Sequence, residues 1–120
     1  MNLHNQRFSN YVLPDGRELD VKRLVLFCQY SKSLKTKVVD IYDISVKNLP
    51  LKESVLSYLR TVPGFHNMIE SNYIVITEDN HCIDGRHRLH ICSEKSIGYI
   101  KAIVVPTEDI NSFIVDSSSQ

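Results

Sequence analysis

The stretch from residue 73 to residue 105 constrains the fold more than any other part of the sequence. It opens with an uninterrupted run of β-forming residues from Tyr73 to Thr77. Residues 78–80, Glu-Asp-Asn, have the chemistry of a turn, and residues 81–83 form a second short run. Two such runs around a tight turn predict a β-hairpin.

A helix and a third strand are predicted to follow the hairpin. Residues 86–95 place Leu89 and Cys92 on one helical face, and residues 96–98, Ser-Ile-Gly, end the helix. Residues 99–105 are a further apolar run of the β type. The order is therefore strand, turn, strand, helix, strand.

The first half of the chain carries one clear helical pattern. From Leu51 to Arg60 the apolar residues recur at i, i+4, i+5 and i+8, which makes one apolar face of Leu51, Val55, Leu56 and Leu59. Pro63 and Gly64 should stop this helix. Residues 65–72 are interpreted as a connector in which another helical turn around Met68 and Ile69 is possible.

Two earlier stretches are less decisive. Residues 37–46 are rich in β-branched residues and predict a strand, with Val39, Ile41 and Ile44 on one side and an end at residues 48–50. Residues 19–30 have apolar residues at helix-like spacing, and both a short helix and an irregular strand fit them.

These elements predict one α+β domain with a small mixed β-sheet. A chain of 120 residues with 42% hydrophobic content is of the usual size for a single domain with one compact core. We assign residues 1–10 to a flexible N-terminus, residues 11–110 to the domain and residues 111–120 to a polar tail.

Charge and apolar content narrow the function classes. The 14 basic residues balance the 14 acidic ones, so any contact with nucleic acid must be local rather than a general basic surface. No apolar run approaches the roughly 20 residues that a membrane span needs, and the polar start is unlike a signal peptide, so a cytoplasmic protein without membrane contact is expected. Three cysteines without C-x-x-C spacing predict reduced, mostly buried thiols: Cys28, Cys82 and Cys92.

The start of the predicted helix at residue 86 is a candidate phosphate site. A helix N-terminus leaves backbone N–H groups unpaired and carries partial positive charge. Gly85 permits a sharp bend and a close approach of a phosphate oxygen to the backbone. Arg86, His87 and Arg88 add donors and charge on the first turn, although the two arginines cannot share one helical face.

Each of these residues also has a purely structural interpretation. Asp84 is either the N-cap of the helix, which we favour, or the partner of an arginine or of a Mg²⁺ hydration shell. Arg88 could form a structural salt bridge, and His87 could be a satisfied, half-buried imidazole. We predict that at least one of them contacts phosphate, because a small residue, positive side chains and a helix start coincide.

The chain resembles the ParB/sulfiredoxin superfamily in this region. The resemblance is carried by Tyr73 to Leu89, which contains an I-[D/A/G]-G-x-[H/R]-R element, and by the strand that begins near Gly98. It extends to about residues 38–106, because residues 50–53, Pro-Leu-Lys-Glu, match a P-x-x-E box that leads into a helix in that superfamily. The resemblance implies a stand-alone nuclease or NTPase domain that binds nucleotide phosphates.

The resemblance assigns roles one residue at a time. Gly85, His87 and Arg88 match the phosphate-binding element, and Asp84 matches its acidic position. Arg86 fills the place where sulfiredoxin has its cysteine, so reduction of sulfinic acid is not expected.

The first box gives two further candidate residues. Lys52 and Glu53 fall in it, which makes Lys52 a phosphate ligand and Glu53 a candidate general base for phosphoryl transfer, with His87 and Arg88 completing the catalytic set. For Glu53 the alternative is an exposed carboxylate that favours the helix dipole.

Three functional hypotheses follow. The first is an enzyme that binds ATP or CTP with Mg²⁺ and hydrolyses it, transfers a phosphoryl group or cleaves a phosphodiester. The second is a non-catalytic module in which nucleotide switches binding to DNA or to a protein. The third is a metal nuclease. Its candidate ligands are poorly spaced, so we expect no metal ion bound by protein side chains. These candidates are His81, His87, His90, Cys82 and Cys92.

Overall fold

The structure is a computed structural model, and it describes residues 11–13, 15–31, 33–47 and 49–115. The predicted flexible N-terminus, residues 1–10, lies outside these described residues. In the described ranges the structure has six strands, five helices and one short 3-10 turn. The strands are β1 Tyr11–Val12, β2 Glu18–Leu19, β3 Lys35–Asp40, β4 Ile74–Thr77, β5 Cys82–Asp84 and β6 Tyr99–Val105. The helices are α1 Val21–Tyr30, α2 Glu53–Thr61, α3 Phe65–Ser71, α4 Arg86–Glu94 and α5 Thr107–Asn111, and the 3-10 turn is Ile41–Asp43.

Four strands form a mixed sheet in the order β3-β6-β4-β5. The β3/β6 and β4/β5 pairs are antiparallel, whereas β4 and β6 are parallel. Strands β1 and β2 form a separate two-stranded sheet. The predicted α+β class with a small mixed sheet is thus confirmed.

Helices cover both faces of the four-stranded sheet. Because side chains alternate along a strand, Ile74 and Ile76 face one side and Val75 faces the other. The first side packs against α2, α3 and α4, for example against Leu56. The second packs against α1 and α5, with Leu24 in that cluster. The sheet therefore lies between two apolar clusters, and α4 packs in the first of them.

The hairpin and the helix after it match the sequence prediction. Strand β4 pairs with β5 through the turn at residues 78–80, where Asn80 has a positive φ of 64°. The register shifts between Val75 and Ile76, so β5 carries one extra residue as a bulge. Leu89 and Cys92 on α4 are buried, and strand β6 has the predicted bounds.

The predicted strand over residues 37–46 is placed too far along the chain. Strand β3 ends at Asp40, because the Asp40 Oδ1 accepts a hydrogen bond of 2.9 Å from the Tyr42 backbone N–H and starts the 3-10 turn. The three residues predicted to share one side, Val39, Ile41 and Ile44, do belong to one buried cluster.

Two stretches for which the sequence left alternatives open, residues 19–30 and 65–72, are mostly helical. The stretch over residues 19–30 forms α1, whose N-cap Asp20 accepts a hydrogen bond of 3.2 Å from the Arg23 backbone N–H. The predicted helix is α2, which begins at Glu53, so Leu51 precedes it. The rest of the predicted apolar face is confirmed, since Leu56 and Leu59 are buried and Val55 packs against the same cluster. Residues 65–72 contain a full helix, α3, rather than a connector, because Gly64 takes a left-handed φ of 73° and acts as its N-cap.

The domain extends beyond residue 110. The Phe113 ring lies 5.3 Å from that of Phe27, and the Phe113 carbonyl accepts a hydrogen bond of 2.8 Å from the Asp20 N–H. Ile114 forms a bridge with Leu19. Phe113 and Ile114, which fall in the predicted polar tail, thus pack against the domain, and residues 116–120 of that tail lie outside the described part.

The thiols are free and buried as expected: Cys28, Cys82 and Cys92. In residues 11–13, 15–31, 33–47 and 49–115 no helix has both the length and the apolar character that a membrane crossing requires.

Candidate functional site

Gly85 joins β5 to α4 and is the N-cap of that helix. Its φ is 121°, a conformation that side chains with a Cβ rarely adopt. A Cβ at this position would lie 2.3 Å from Ile74 Cγ2 and 2.7 Å from Ile74 Cβ. Glycine is therefore required both by the backbone and by the close contact between the helix start and β4.

Asp84 is not the N-cap that we favoured. It precedes the cap by one residue, and α4 has no side-chain cap at all. Its Oδ2 instead accepts a hydrogen bond of 3.0 Å from Arg88 Nη2, one helical turn away. Asp84 thus takes the second predicted role, that of fixing an arginine.

Arg88 is occupied by contacts within the fold. Its Nη1 donates to the carbonyl oxygens of Asn72, at 2.5 Å, and Tyr73, at 3.4 Å. The side chain is only 16% exposed. Arg88 therefore ties the end of α3 and the start of β4 to α4. These contacts correspond to the structural interpretation, and contact of Arg88 with phosphate stays a prediction.

Arg86 also binds backbone carbonyls. Its Nη1 lies 2.6 Å from the Leu49 oxygen and 3.3 Å from the Pro50 oxygen. Both carbonyls belong to the segment that leads into α2. The Arg86 guanidinium thereby fixes the position of that segment relative to the start of α4.

His87 connects the starts of two helices. Its Nε2 accepts a hydrogen bond of 3.0 Å from the backbone N–H of Lys52, which is the N-cap of α2. An imidazole nitrogen that accepts carries no proton, so the ring is neutral with its proton on Nδ1. Burial lowers the pKa of His87 below its ordinary 6.5, with smaller contributions from Arg86, Lys52 and His90.

Two helix N-termini without side-chain caps therefore meet at one place. Helix α2 begins at Glu53 and α4 at Arg86, and neither has a hydrogen bond from a capping side chain. Each helix start carries partial positive charge and backbone N–H groups without intrahelical partners. Together they favour an anion more than either would alone.

Glu53 lies in the first turn of α2 and joins a chain of charged side chains. Its Oε2 is 3.0 Å from Arg60 Nη1. Arg60 also binds Glu94 through two hydrogen bonds of 2.9 and 2.8 Å, and Glu94 accepts one of 3.1 Å from His90 Nε2. Hydrogen bonds from Arg60 lower the pKa of Glu94 to about 2. These ion pairs connect α2 and α4 across their exposed surfaces.

The sequence analysis did not predict that Arg60 and Glu94 form ion pairs with each other and with Glu53. A signal was available, because Glu53 and Arg60 are seven residues apart and thus two turns along one helical face. No periodic pattern, however, brings α2 beside α4.

The metal-nuclease hypothesis gains no ligand set. Over the part of the chain that the structure describes, no three or more His, Cys, Asp or Glu side chains are grouped so that they could hold a metal ion. His90 is paired with Glu94, and the Nε2 of His87 is occupied by the Lys52 N–H.

A cavity of about 290 Å³ lies beside the start of α4. Arg86, Leu89, His90 and Ser93 form its wall on the helix side, and residues between 41 and 51 form the other wall. The cavity is open to solvent and mostly apolar, and it reaches the start of α4 at Arg86 and the segment before α2 at Leu51.

Comparison with known proteins gives a similarity at the level of solved structures. No family model matches the chain, and no curated protein matches it. Among solved structures the chain is similar to a Pnob8-like ParB-N domain, with a TM-score of 0.41 and 17% sequence identity. The match covers 73% of this chain and 32% of the other, so this chain spans about a third of that structure's length.

Proposed function

We propose that the chain binds the phosphate groups of a nucleoside triphosphate, ATP or CTP, at the adjoining starts of α2 and α4. The observation that carries this proposal is the hydrogen bond between His87 Nε2 and the Lys52 N–H, which holds two uncapped helix N-termini together. Backbone N–H groups aimed at one point form an anion site without further charge. The resemblance of the Asp84 to Arg88 element to the ParB/sulfiredoxin superfamily supports the same ligand.

The side chains at the site divide into two roles. His87 Nδ1–H and the exposed Lys52 ammonium would donate to phosphate oxygens, together with the first N–H groups of α4. Arg86 and Arg88 hold the backbone that carries these donors, and Asp84 fixes Arg88. Mg²⁺ would arrive bound to the nucleotide, because the carboxylates of Asp84 and Glu53 are already paired with arginines.

Calorimetric titration tests the proposal. Wild-type protein is titrated with ATP, CTP, GTP and ADP in the presence of Mg²⁺, and the same titrations are made with Lys52→Glu. The matched control is Lys37→Glu, which reverses the charge of an exposed lysine on β3. We expect Lys52→Glu to weaken binding about tenfold and Lys37→Glu to leave it unchanged. Absence of heat with every nucleotide, or equal weakening in both variants, rejects the phosphate site.

A catalytic form of the proposal assigns the general base to Glu53. The residue lies in the first turn of α2, next to the proposed phosphate position, but its carboxylate would have to leave Arg60 in order to accept a proton. Glu53→Gln should then lower nucleotide hydrolysis by about a hundredfold at unchanged affinity. Glu70→Gln, which alters an exposed glutamate on α3, is the control. Equal rates in both variants exclude Glu53 from the reaction.

The second candidate function is a non-catalytic module, in which bound nucleotide switches association with DNA or a protein. One observation favours it, namely that Glu53 and Arg88 both have partners within the fold. Tight binding of nucleotide without turnover in the hydrolysis assay would select this function over the enzyme.

A further inference from the structure

Helices cover only part of the sheet face that α1 and α5 pack against. At the end of the sheet where β6 begins, Tyr99 is 65% exposed and Val38 is 61% exposed. Lys101 is exposed and Tyr73 is half-buried on the same surface. We call these four residues, Val38, Tyr73, Tyr99 and Lys101, the open sheet face.

The strand register places the four side chains next to one another. Val38 pairs with Lys101, and Ile74 pairs with Ala102, so Tyr73 comes beside Lys101 on the neighbouring strand. The Lys101 Nζ lies 5.9 Å from the centre of the Tyr73 ring. Tyr99 precedes Lys101 by two residues and therefore faces the same side, about 7 Å along the strand. The surface thus has one aromatic ring on β6 and another on the residue that precedes β4, with a lysine beside both.

We propose that the open sheet face binds single-stranded nucleic acid. Bases stack on exposed aromatic rings irrespective of sequence, and a four-stranded sheet that presents such rings is an established way to hold unpaired nucleotides. Tyr99 would receive a base, and the Lys101 ammonium, which lies over the Tyr73 ring, would contact the adjacent phosphate. The positive charge of Lys101 suffices for this phosphate contact, although the chain as a whole has no net charge.

The position of Lys101 argues against a second copy of the chain as the occupant. Lysine is depleted in the cores of protein interfaces, because burial of its ammonium without a partner is unfavourable. The nearest carboxylate in the register is that of Asp40, which pairs with Tyr99 across the strands. Its Oδ1 already accepts a hydrogen bond from the Tyr42 N–H. We therefore assign the phosphate contact to Lys101, which lies two residues along β6 from Tyr99 and is paired with Val38 rather than with Asp40.

The open sheet face is distinct from the proposed nucleotide site. The helix that carries His87 packs on the opposite face of the sheet. Binding of an oligonucleotide at Tyr99 therefore does not depend on the proposed function, and each site has its own variants.

Fluorescence anisotropy with the full chain tests this inference. The probes are short labelled oligothymidylate and oligouridylate, with a duplex of equal length for comparison. Tyr99→Ala should weaken binding to the single strands about tenfold, whereas Tyr99→Phe, which keeps the ring, should stay within about threefold. Lys101→Ala should reduce the slope of log affinity against log salt by about 0.7, which corresponds to one phosphate contact. Tyr58→Ala removes a tyrosine that is 60% exposed on α2 and should bind as wild type does.

Three results of the binding assay would overturn the inference. They are an absence of single-strand binding, an equal affinity of Tyr99→Ala and wild type, and an equal loss in Tyr58→Ala. A dimer that Tyr99→Ala dissociates in sedimentation would also overturn it, because a second copy would then occupy the face. Calorimetry with Mg²⁺ and mononucleotide on Tyr99→Ala separates the two sites, since that titration should match wild type whenever mononucleotide binds.

Discussion

The imidazole of His87, at the start of α4, accepts a hydrogen bond of 3.0 Å from the backbone N–H of Lys52, at the start of α2. The ring can accept only when Nε2 is unprotonated. Protonation would therefore break the link and add a positive charge between two positive helix ends. The relationship makes the geometry of the proposed site dependent on pH.

The first prediction concerns stability at mildly acidic pH. The pKa of His87 is lower in the folded protein than its ordinary 6.5, chiefly through burial. The unfolded chain therefore binds the proton more readily, and stability is full above pH 6.5 and falls as the pH decreases from there towards the folded pKa. In His87→Gln, whose amide oxygen can accept from the same N–H, this loss should be absent. Urea unfolding of both proteins between pH 7.5 and pH 5 measures the difference.

The control for this prediction is His66→Gln, which alters an exposed histidine on α3. It should keep the pH dependence of the wild type. Parallel curves for wild type and His87→Gln would mean that His87 does not contribute to the dependence.

The second prediction separates the two interpretations of Arg88. Without its guanidinium, on a side chain that is only 16% exposed, the carbonyl of Asn72 and the carboxylate of Asp84 lose the hydrogen bonds that Arg88 donates to them. Loss of hydrogen bonds to a charged group should lower the free energy of unfolding by about 2 kcal/mol in Arg88→Ala. Arg17→Ala, which removes an exposed arginine, should unfold as wild type does. If Arg88→Ala unfolds as wild type does but no longer binds nucleotide, Arg88 contacts phosphate directly and the structural interpretation is wrong.

The third prediction concerns the glycine before α4. Gly85→Ala introduces a Cβ at 2.3 Å from Ile74 Cγ2 and forces a residue with a side chain into a φ of 121°. Overpacking and strain together should lower the free energy of unfolding by about 3 kcal/mol. Thermal unfolding followed by circular dichroism measures the change.

Two other glycines supply matched controls for Gly85. Gly64→Ala has a φ of 73° but no atom within 4 Å of the new Cβ, so it introduces backbone strain without overpacking. It should lower the free energy of unfolding by about 1 kcal/mol. Gly98→Ala has open space and no positive φ, so its effect should stay within about 0.5 kcal/mol. If all three variants lost the same stability, the contact with Ile74 would have no energetic effect.

The hairpin, α4 and β6 were predictable because their local patterns agree with the final structure. From Tyr73 onwards each apolar run has one period, and turn residues separate the runs. The end of β3 was not predictable, because the Asp40 side chain caps a 3-10 turn in a stretch whose residues favour a strand. Helix α3 was missed because Pro63 and Gly64 signal a stop, while the left-handed Gly64 also starts the next helix.

The arginines of the candidate site show where local patterns give no information. Sequence spacing correctly placed Arg86 and Arg88 on the first turn of a helix. The carbonyls they bind are 37 and 16 residues away, at Leu49 and Asn72. No periodicity encodes such distant contacts, so a positively charged helix start looks the same in the sequence whether its arginines bind phosphate or backbone.

The fourth prediction concerns the ion pairs that join α2 to α4 through Arg60 and Glu94. The pKa of Glu94 is about 2 in the folded protein, because Arg60 donates two hydrogen bonds to its carboxylate, whereas its ordinary value is 4.5. A lowered carboxyl pKa contributes stability that is present above pH 4.5 and is lost as the pH falls towards 2. Glu94→Gln should therefore be less stable than wild type at neutral pH and approach it in acid. Urea unfolding at pH 7, 4 and 2.5 measures both free energies.

Salt provides an independent check of the same pair. Arg60 and Glu94 are 39% and 36% exposed, so water and ions screen their attraction. The difference between wild type and Glu94→Gln at neutral pH should shrink in 1 M salt, where the screening length is about 3 Å. Glu70→Gln, on an exposed position of α3, should show neither dependence. A difference that persists at high salt and in acid would assign the effect of Glu94 to packing of its side chain between α2 and α4 rather than to charge.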